Sequence, residues 1–475
     1  MFGREPDATY RQLLWRSAAR GSLQLEVVWR LVGVAMLLMN LRVRGSHPLD
    51  MPWGALPLAY HAMLVTSVLL VALGPRLVCL VGSAAAWLVI LHGYIFRADL
   101  EFLADEYLLF AALPVLGALG TLVASAATRA AGQLWLLRMA TLVTLGFVAL
   151  HKLNHDFLDP ATSCATLLGE RLASRWSLPG APGPVGVLLA EALAPVLLVM
   201  YPRLGALWLL TLAAGLGHVG PYAFNALLAA LALAFLPPNA SEAWRARSPW
   251  WLLAWLVGVA AVGLASAHLH IDTPDFLWWP YLLFEAVLVG VALLVILSRG
   301  TGESCWRPRR LMRPWLPGGA ALRWSCITAT LVLAFQGLTP YLGLRYRLAF
   351  AMLSNLRVDD ARWNSLVVPS WVRVRDDRHV HVLAVTGLDG SPLDLSSARV
   401  RLIRPGVYSP QEFKHRLAET RLRRVQGDLL VRHRGELREF HRFTVDPALQ
   451  AFVDALPDER LLQASLSLGR QRCVH

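Results

Sequence analysis

Long apolar runs, broken at short intervals by Pro, Gly and Arg, fill the chain up to about residue 340. Measured against the roughly 20 apolar residues that cross a bilayer, candidate spans fall at about 25–41, 52–74, 76–96, 106–127, 133–152, 183–201, 203–217, 221–236, 249–268, 276–297 and 321–339. The runs at 203–217 and 221–236 are short, so tilted, re-entrant or fused segments are expected there, and the total comes to about eight to eleven helices. Gly74-Pro75, Pro179-Gly180, Pro182-Gly183 and Pro237-Pro238 mark turns between runs, because both residue types favour a break over continued helix.

The texture changes near residue 365. Trp371 to Arg375 and His379 to Leu383 alternate with period two, and Asp389-Gly390 is a hairpin-turn signal. Residues 410–425 and 446–456 read as helices. The pattern as a whole predicts an all-α polytopic transmembrane bundle followed by a small C-terminal mixed α/β extramembrane domain. The expected divisions are a cytoplasmic segment at 1–24, the membrane domain at 25–339 and the C-terminal domain at 340–475.

Composition agrees with that expectation and removes several others. Of 475 residues, 56% are apolar and only 16% charged, with a mean hydropathy of +0.48, against about 25% charge in a water-facing globule. Five Cys are too few for a disulfide scaffold. The net charge of +13 would point to nucleic acid in a soluble protein, but the Arg residues collect in loops and tail, where membrane lipid is the simpler partner. Arg299, Arg307, Arg309, Arg310 and Arg313 oppose a single Glu303 in the 298–320 loop. The positive-inside rule then puts that loop in the cytoplasm and the C-terminal domain on the extracytoplasmic side of a cell inner membrane.

Charge identity singles out one position. Of the 45 cations only Lys152 and Lys414 are lysines. Lys152 closes the apolar run that begins after Arg138. Lys can give up its proton when desolvated whereas Arg cannot, so amine base chemistry is open to this position. An interfacial anchor that snorkels to the headgroups is the alternative. Glu191 and Glu285 lie inside apolar runs and must face a cavity, a cation or a neighbouring helix. His151 and His155, four apart, share a helix face if the helix continues, yet Lys-Leu-Asn between them matches no metalloprotease pattern and no metal site is expected. His61, His92 and His218 are single histidines in apolar runs, with His218 beside Pro221 and Tyr222 in a position to line a cavity. There is no CxxC pair. Cys164 and Cys473 could pair if they share the extracytoplasmic side.

The stretch from Arg138 to Asp156 resembles the membrane domain shared by vitamin K-dependent γ-carboxylases and bacterial HTTM (horizontally transferred transmembrane) proteins. An early Arg138, the aromatic Phe147, the small Ala149, then Lys152-Leu153 and the polar Asn154 and Asp156 follow that family's order. Tyr107 and Leu108 fit a second family element, in which Asp105 and Glu106 stand where Asn and His occur in the family. Residues 340–356 and Asn364 to Pro369 resemble a segment that follows the last span in bacterial members. The resemblance implies that Lys152 is a catalytic base toward a reduced, vitamin K-like quinone, driving carbon-acid deprotonation or carboxylation. Asp105 or Glu106 would pair with Lys152 or Arg138 or accept a proton, and Arg138, Tyr107 and His218 would hold the quinone. The rival expectation is a non-enzymatic transporter or partner-binding protein, in which the same groups form a structural network.

Overall fold

The computed structural model describes residues 23–38, 129–176, 179–219, 222–236, 278–298, 320–342, 362–373, 379–388, 405–408, 410–422, 425–443 and 445–456, with isolated positions between them. The helices are α1 (residues 23–38), α2 (Arg129–Lys152), α3 (His155–Leu158), α4 (Cys164–Trp176), α5 (Pro184–Met200), α6 (Pro202–Val219), α7 (Tyr222–Ala232), α8 (Trp278–Leu297), α9 (Ala320–Leu338), α10 (Pro410–Leu422) and α11 (Pro447–Ala455). Two compact units divide the chain, and the boundary between them falls inside α2, between Ala149 and Leu150.

The expected polytopic bundle of eight to eleven spanning helices is corrected by the helix lengths. Among the described residues one helix, Ala130–Lys152, is long and apolar enough to cross a membrane, with 23 residues and a mean hydropathy of 1.6. Pro184–Met200, Pro202–Gly217, Tyr222–Phe235 and Leu282–Leu297 are apolar but shorter. The break expected between 183–201 and 203–217 falls at Tyr201. Tyr201 alone separates α5 from α6, and its N–H bonds back to the Leu197 carbonyl at 2.7 Å, so a long apolar stretch becomes a tight helical hairpin. Gly205 lets the two helices approach, since an added Cβ would lie 2.3 Å from the Leu198 nitrogen. The spans expected at 76–96 and 249–268 lie outside the described residues, as do 52–74 and 106–127 apart from isolated positions.

The first unit is tied together at a helix end. α7 is buried along its whole length and runs into a 3-10 turn, Leu233–Phe235. The carbonyls at such an end have no partner within the helix. Here Gln24 Nε2 donates to the Leu233 and Leu236 oxygens, at 2.6 and 3.1 Å, and Arg138 Nε donates to Ala234 O at 2.7 Å. Trp29 Nε1 donates to Gln133 Oε1, joining α1 to α2. Glu191 and Glu285, both in apolar helices, are buried. Val185, Leu189, Leu193 and Val196 form an exposed apolar stripe on α5, and Trp324, Leu331, Val332 and Phe335 form one on α9.

The second unit contains residues 150–167 and the chain from Phe335 onward. Its five-stranded antiparallel sheet has the order β6-β5-β3-β4-β7, built from β3 (Val380–Thr386), β4 (Gly406–Tyr408), β5 (Asp428–His433), β6 (Glu436–Phe440) and β7 (Ser465–Leu466). A two-stranded ladder, β1 (Val358–Asp359) with β2 (Arg362–Trp363), precedes it. β5 and β6 are joined by Arg434 and Gly435, both at positive φ (51° and 81°), the conformation a type I′ hairpin requires. Val380, Val382, Val431, Phe413, Phe440, Phe443, Leu449 and Phe452 make the core. Asp446 caps α11 by accepting from Ala448 N, and Pro447 occupies the first turn, where its missing N–H costs nothing. The alternating run at 371–375 begins not as a strand but as a 3-10 turn, Ser370–Val372, with Trp371 largely exposed. Residues 374 and 375 lie outside the described residues.

Candidate functional site

Lys152 ends α2, and the end is made by Asn154. The Asn154 backbone is extended, its Oδ1 accepts from Phe157 N at 2.8 Å, and its Nδ2 donates to His151 O at 2.7 Å. One side chain thus caps the start of α3 and satisfies a terminal carbonyl of α2. A bridge to a distant segment fixes the turn: Asn154 pairs with Ser365, His155 N donates to Asn364 O, and Leu366 N donates to Leu153 O, each bond at 3.0 Å. Asn364 Nδ2 reaches Asn154 Oδ1 at 3.3 Å and Asp156 Oδ2 at 3.1 Å.

Several side chains at this joint are buried. Lys152 is 3% exposed, and its Nζ lies 5.7 Å from the centre of the buried Phe157 ring, a geometry in which the ring face attracts an ammonium. His151 and Tyr341 are fully buried, with His151 Nδ1 and the Tyr341 hydroxyl 3.0 Å apart. Their rings stand 5.2 Å apart, and Trp363 follows at 6.4 Å from Tyr341. Burial pushes the Tyr341 phenol up to about 12, with a hydrogen bond from Ser365 pulling the other way. At neutral pH this phenol keeps its proton and can donate it in a hydrogen bond.

No family model, curated protein or solved structure matches the chain. The site therefore rests on its own geometry. Lys152 is buried over the Phe157 ring, and the polar groups of the joint come from residues 150–167 and from the segment 341–368, all within the second unit. Arg138 lies about four turns earlier on α2, where it is engaged with the Ala234 carbonyl inside the first unit. That engagement accounts for its half-buried guanidinium, which the sequence assigned to a quinone. Asp105, Glu106 and Tyr107 lie outside the described residues, as does the side chain of His218 on α6.

The pairing of His151 with His155 on one helix face is undone by the turn. α2 stops at Lys152, His155 begins α3, and His151 is buried while His155 is exposed. Among the described residues no three His, Cys, Asp or Glu groups are arranged to hold a metal ion. Sequence reasoning named no role for Tyr341, Ser365 or Asn364. Their signal lay in the 340–356 and 364–369 segments, which the family resemblance marked without showing what they face. Cys164, at the start of α4, is disulfide-bonded, and Cys326 is a buried free thiol.

The joint thus gathers the Phe157, Tyr341 and Trp363 rings, the His151 ring and the Lys152 amine within the second unit.

Proposed function

We propose that the chain is an integral membrane protein that uses Lys152 as a base toward a reduced quinone, in the manner of vitamin K-dependent γ-carboxylases, to drive carbon-acid deprotonation or carboxylation. The observation that carries this reading is the burial of Lys152 at 3% exposure over the Phe157 ring. The Phe157 ring face would stabilise the ammonium formed when the amine takes a proton. A bound reduced quinone would pass two electrons to dioxygen as co-substrate and so supply the driving force for the deprotonation. The chain's part is to dehydrate the amine, hold it at the end of α2 and surround it with aromatic surface.

Two observations support the setting. The exposed apolar stripes on α5 and α9 suit a lipid environment, because a protein in water rarely leaves such faces open. The disulfide at Cys164 suits an oxidising compartment for the unit that carries Lys152, in keeping with an extracytoplasmic C-terminal region of an inner-membrane protein.

A structural role for the same groups is favoured by one feature: the Asn154, Asn364 and Asp156 bonds all tie 153–156 to 364–366. The two readings separate on extraction. Organic extracts of the purified full chain are expected to contain stoichiometric quinone, measured by its ultraviolet spectrum and mass. A chain that stays free of quinone after incubation with reduced 2-methyl-1,4-naphthoquinone would favour the structural role.

A further inference from the structure

The loop that follows β2 exposes apolar side chains that a protein in water would bury. Leu366 is 47% exposed, Val367 55% and Trp371 82%, the highest of the exposed large hydrophobic side chains among the described residues. Three such groups close together form a patch, which calls for a partner in a way that scattered single exposures do not.

The loop's own hydrogen bonds hold the patch outward. Trp363 Nε1 donates to Val368 O at 2.7 Å and Val368 N donates to Ser365 Oγ at 3.2 Å. Val372 N and Arg373 N donate to Pro369 O and Ser370 O, each at 3.2 Å, and Pro369 leads into the 3-10 turn at φ −75°. Turning the three side chains inward would break these bonds, so the exposure is a property of the folded loop.

The same loop is fastened to the end of α2. Leu366 N donates to Leu153 O, one residue beyond Lys152, and Ser365 bridges to Asn154, all within the second unit. Among the described residues α2 is the helix long and apolar enough to cross a membrane. The end of a crossing helix lies at headgroup level, and a loop bonded to the residue after that end lies there with it.

A protein partner fits the patch less well. A Trp side chain buries at most about 250 Å2, and Leu and Val bury less, so the patch falls short of the roughly 800 Å2 per side of a specific protein interface. A bilayer needs no such area here, because α2 supplies the attachment. Indole suits the headgroup boundary, where its ring meets apolar surface and its N–H meets water. Charge selects no headgroup, since five Arg oppose four Asp between residues 357 and 378.

We infer that Leu366, Val367 and Trp371 insert into the bilayer interface on the side where α2 ends, and that lipid is what covers them. The inference rests on the reading of the chain as an integral membrane protein, and not on the base role of Lys152.

The test is 19F NMR of the full chain carrying 5-fluorotryptophan in phosphatidylcholine nanodiscs, with Trp371→Phe identifying the Trp371 signal by difference. Trp371→Tyr supplies the same assignment where the Phe variant fails to fold. Phosphatidylcholine bearing a nitroxide near the glycerol end of its acyl chain is expected to broaden the Trp371 signal until most of its intensity is lost. Val367→Asp places a charge in the patch and is expected to restore part of that intensity. A Trp371 signal that the lipid nitroxide leaves sharp overturns the proposal, and a water-soluble gadolinium chelate then shows whether water or a protein surface meets the patch instead. Alkaline carbonate separates the two possible failures. Release of the full chain from membranes overturns the membrane reading and the placement of the loop with it, whereas a chain that resists carbonate while Trp371 stays sharp overturns the loop alone.

Discussion

The two lysines of the chain sit in contrasting surroundings, both within the second unit. Lys152 is 3% exposed, over the Phe157 ring, at a joint where Asn154 and Asn364 close the ends of helices and strands. Lys414 is partly exposed on α10, in a groove of about 480 Å3 that it shares with Leu417, Arg421 and Gln450, and its Nζ donates to Leu456 O at 2.9 Å. Lys414 does what a solvated ammonium does well, capping the carbonyl just past α11. Lys152 is held where hydration is lost and an ammonium must be compensated by its neighbours. The same residue type is thus a structural clip in one place and a candidate reagent in the other, and burial is what divides them.

That contrast breaks most visibly at the Lys152 joint. Asn154→Ala removes the cap on Phe157 N, the bond to His151 O and the acceptor for Asn364. Two or more buried groups lose partners, so a loss of about 3 kcal/mol is expected in chemical unfolding of the full chain. Cys164→Ser is expected to cost about 2 to 3 kcal/mol by freeing the denatured chain, and a gel shift on reduction of the wild type checks that the bond is present. Lys414→Met, which loses the part-buried hydrogen bond to Leu456 O, should cost about 1 kcal/mol.

The smallest effect lies on the sheet surface. Asp428 accepts from the Arg442 N–H and faces His441, and these hold its carboxyl below the usual carboxylate range. A folded-state value below the unfolded one contributes stability that is present above the ordinary carboxylate range of about pH 4 and lost as pH falls through the folded value. Asp428→Asn is therefore expected to flatten the acid limb of the stability profile slightly and to lower stability slightly at neutral pH, where the wild-type contribution is present. Unfolding curves between about pH 2 and 7 check this.

The C-terminal unit was legible where local chemistry decides structure. Helices expected at 410–425 and 446–456 form as α10 and α11, because the Asp446-Pro447 start is written in adjacent residues. Val380 to Thr386 is a strand whose alternation meets a partner on each side, and Gly390 takes the positive φ expected of the turn after it. At Trp371 and Val372 the alternation misled, because it says nothing about partners. The apolar runs misled differently: hydropathy marked the break that falls at Tyr201, but records only that residues avoid water and not that the helices on either side stop short of a spanning length. At the site, Lys152 was visible as an exception in an Arg-using chain. Tyr341 and Asn364 were not, since they lie about 190 and 210 residues from their partners, and single-sequence periodicity carries no information over that distance.

The base role of Lys152 is tested most directly by oxygen-dependent oxidation of reduced 2-methyl-1,4-naphthoquinone by the purified full chain, comparing wild type, Lys152→Arg and Lys414→Arg. Arg keeps the charge at each position and gives up the ability to act as a base. Loss of a positioned general base is worth roughly 10² to 10⁴ in rate, so Lys152→Arg should fall by at least about 100-fold with its thermal transition retained, while Lys414→Arg stays at the wild-type rate. Equal rates in all three proteins would contradict the account.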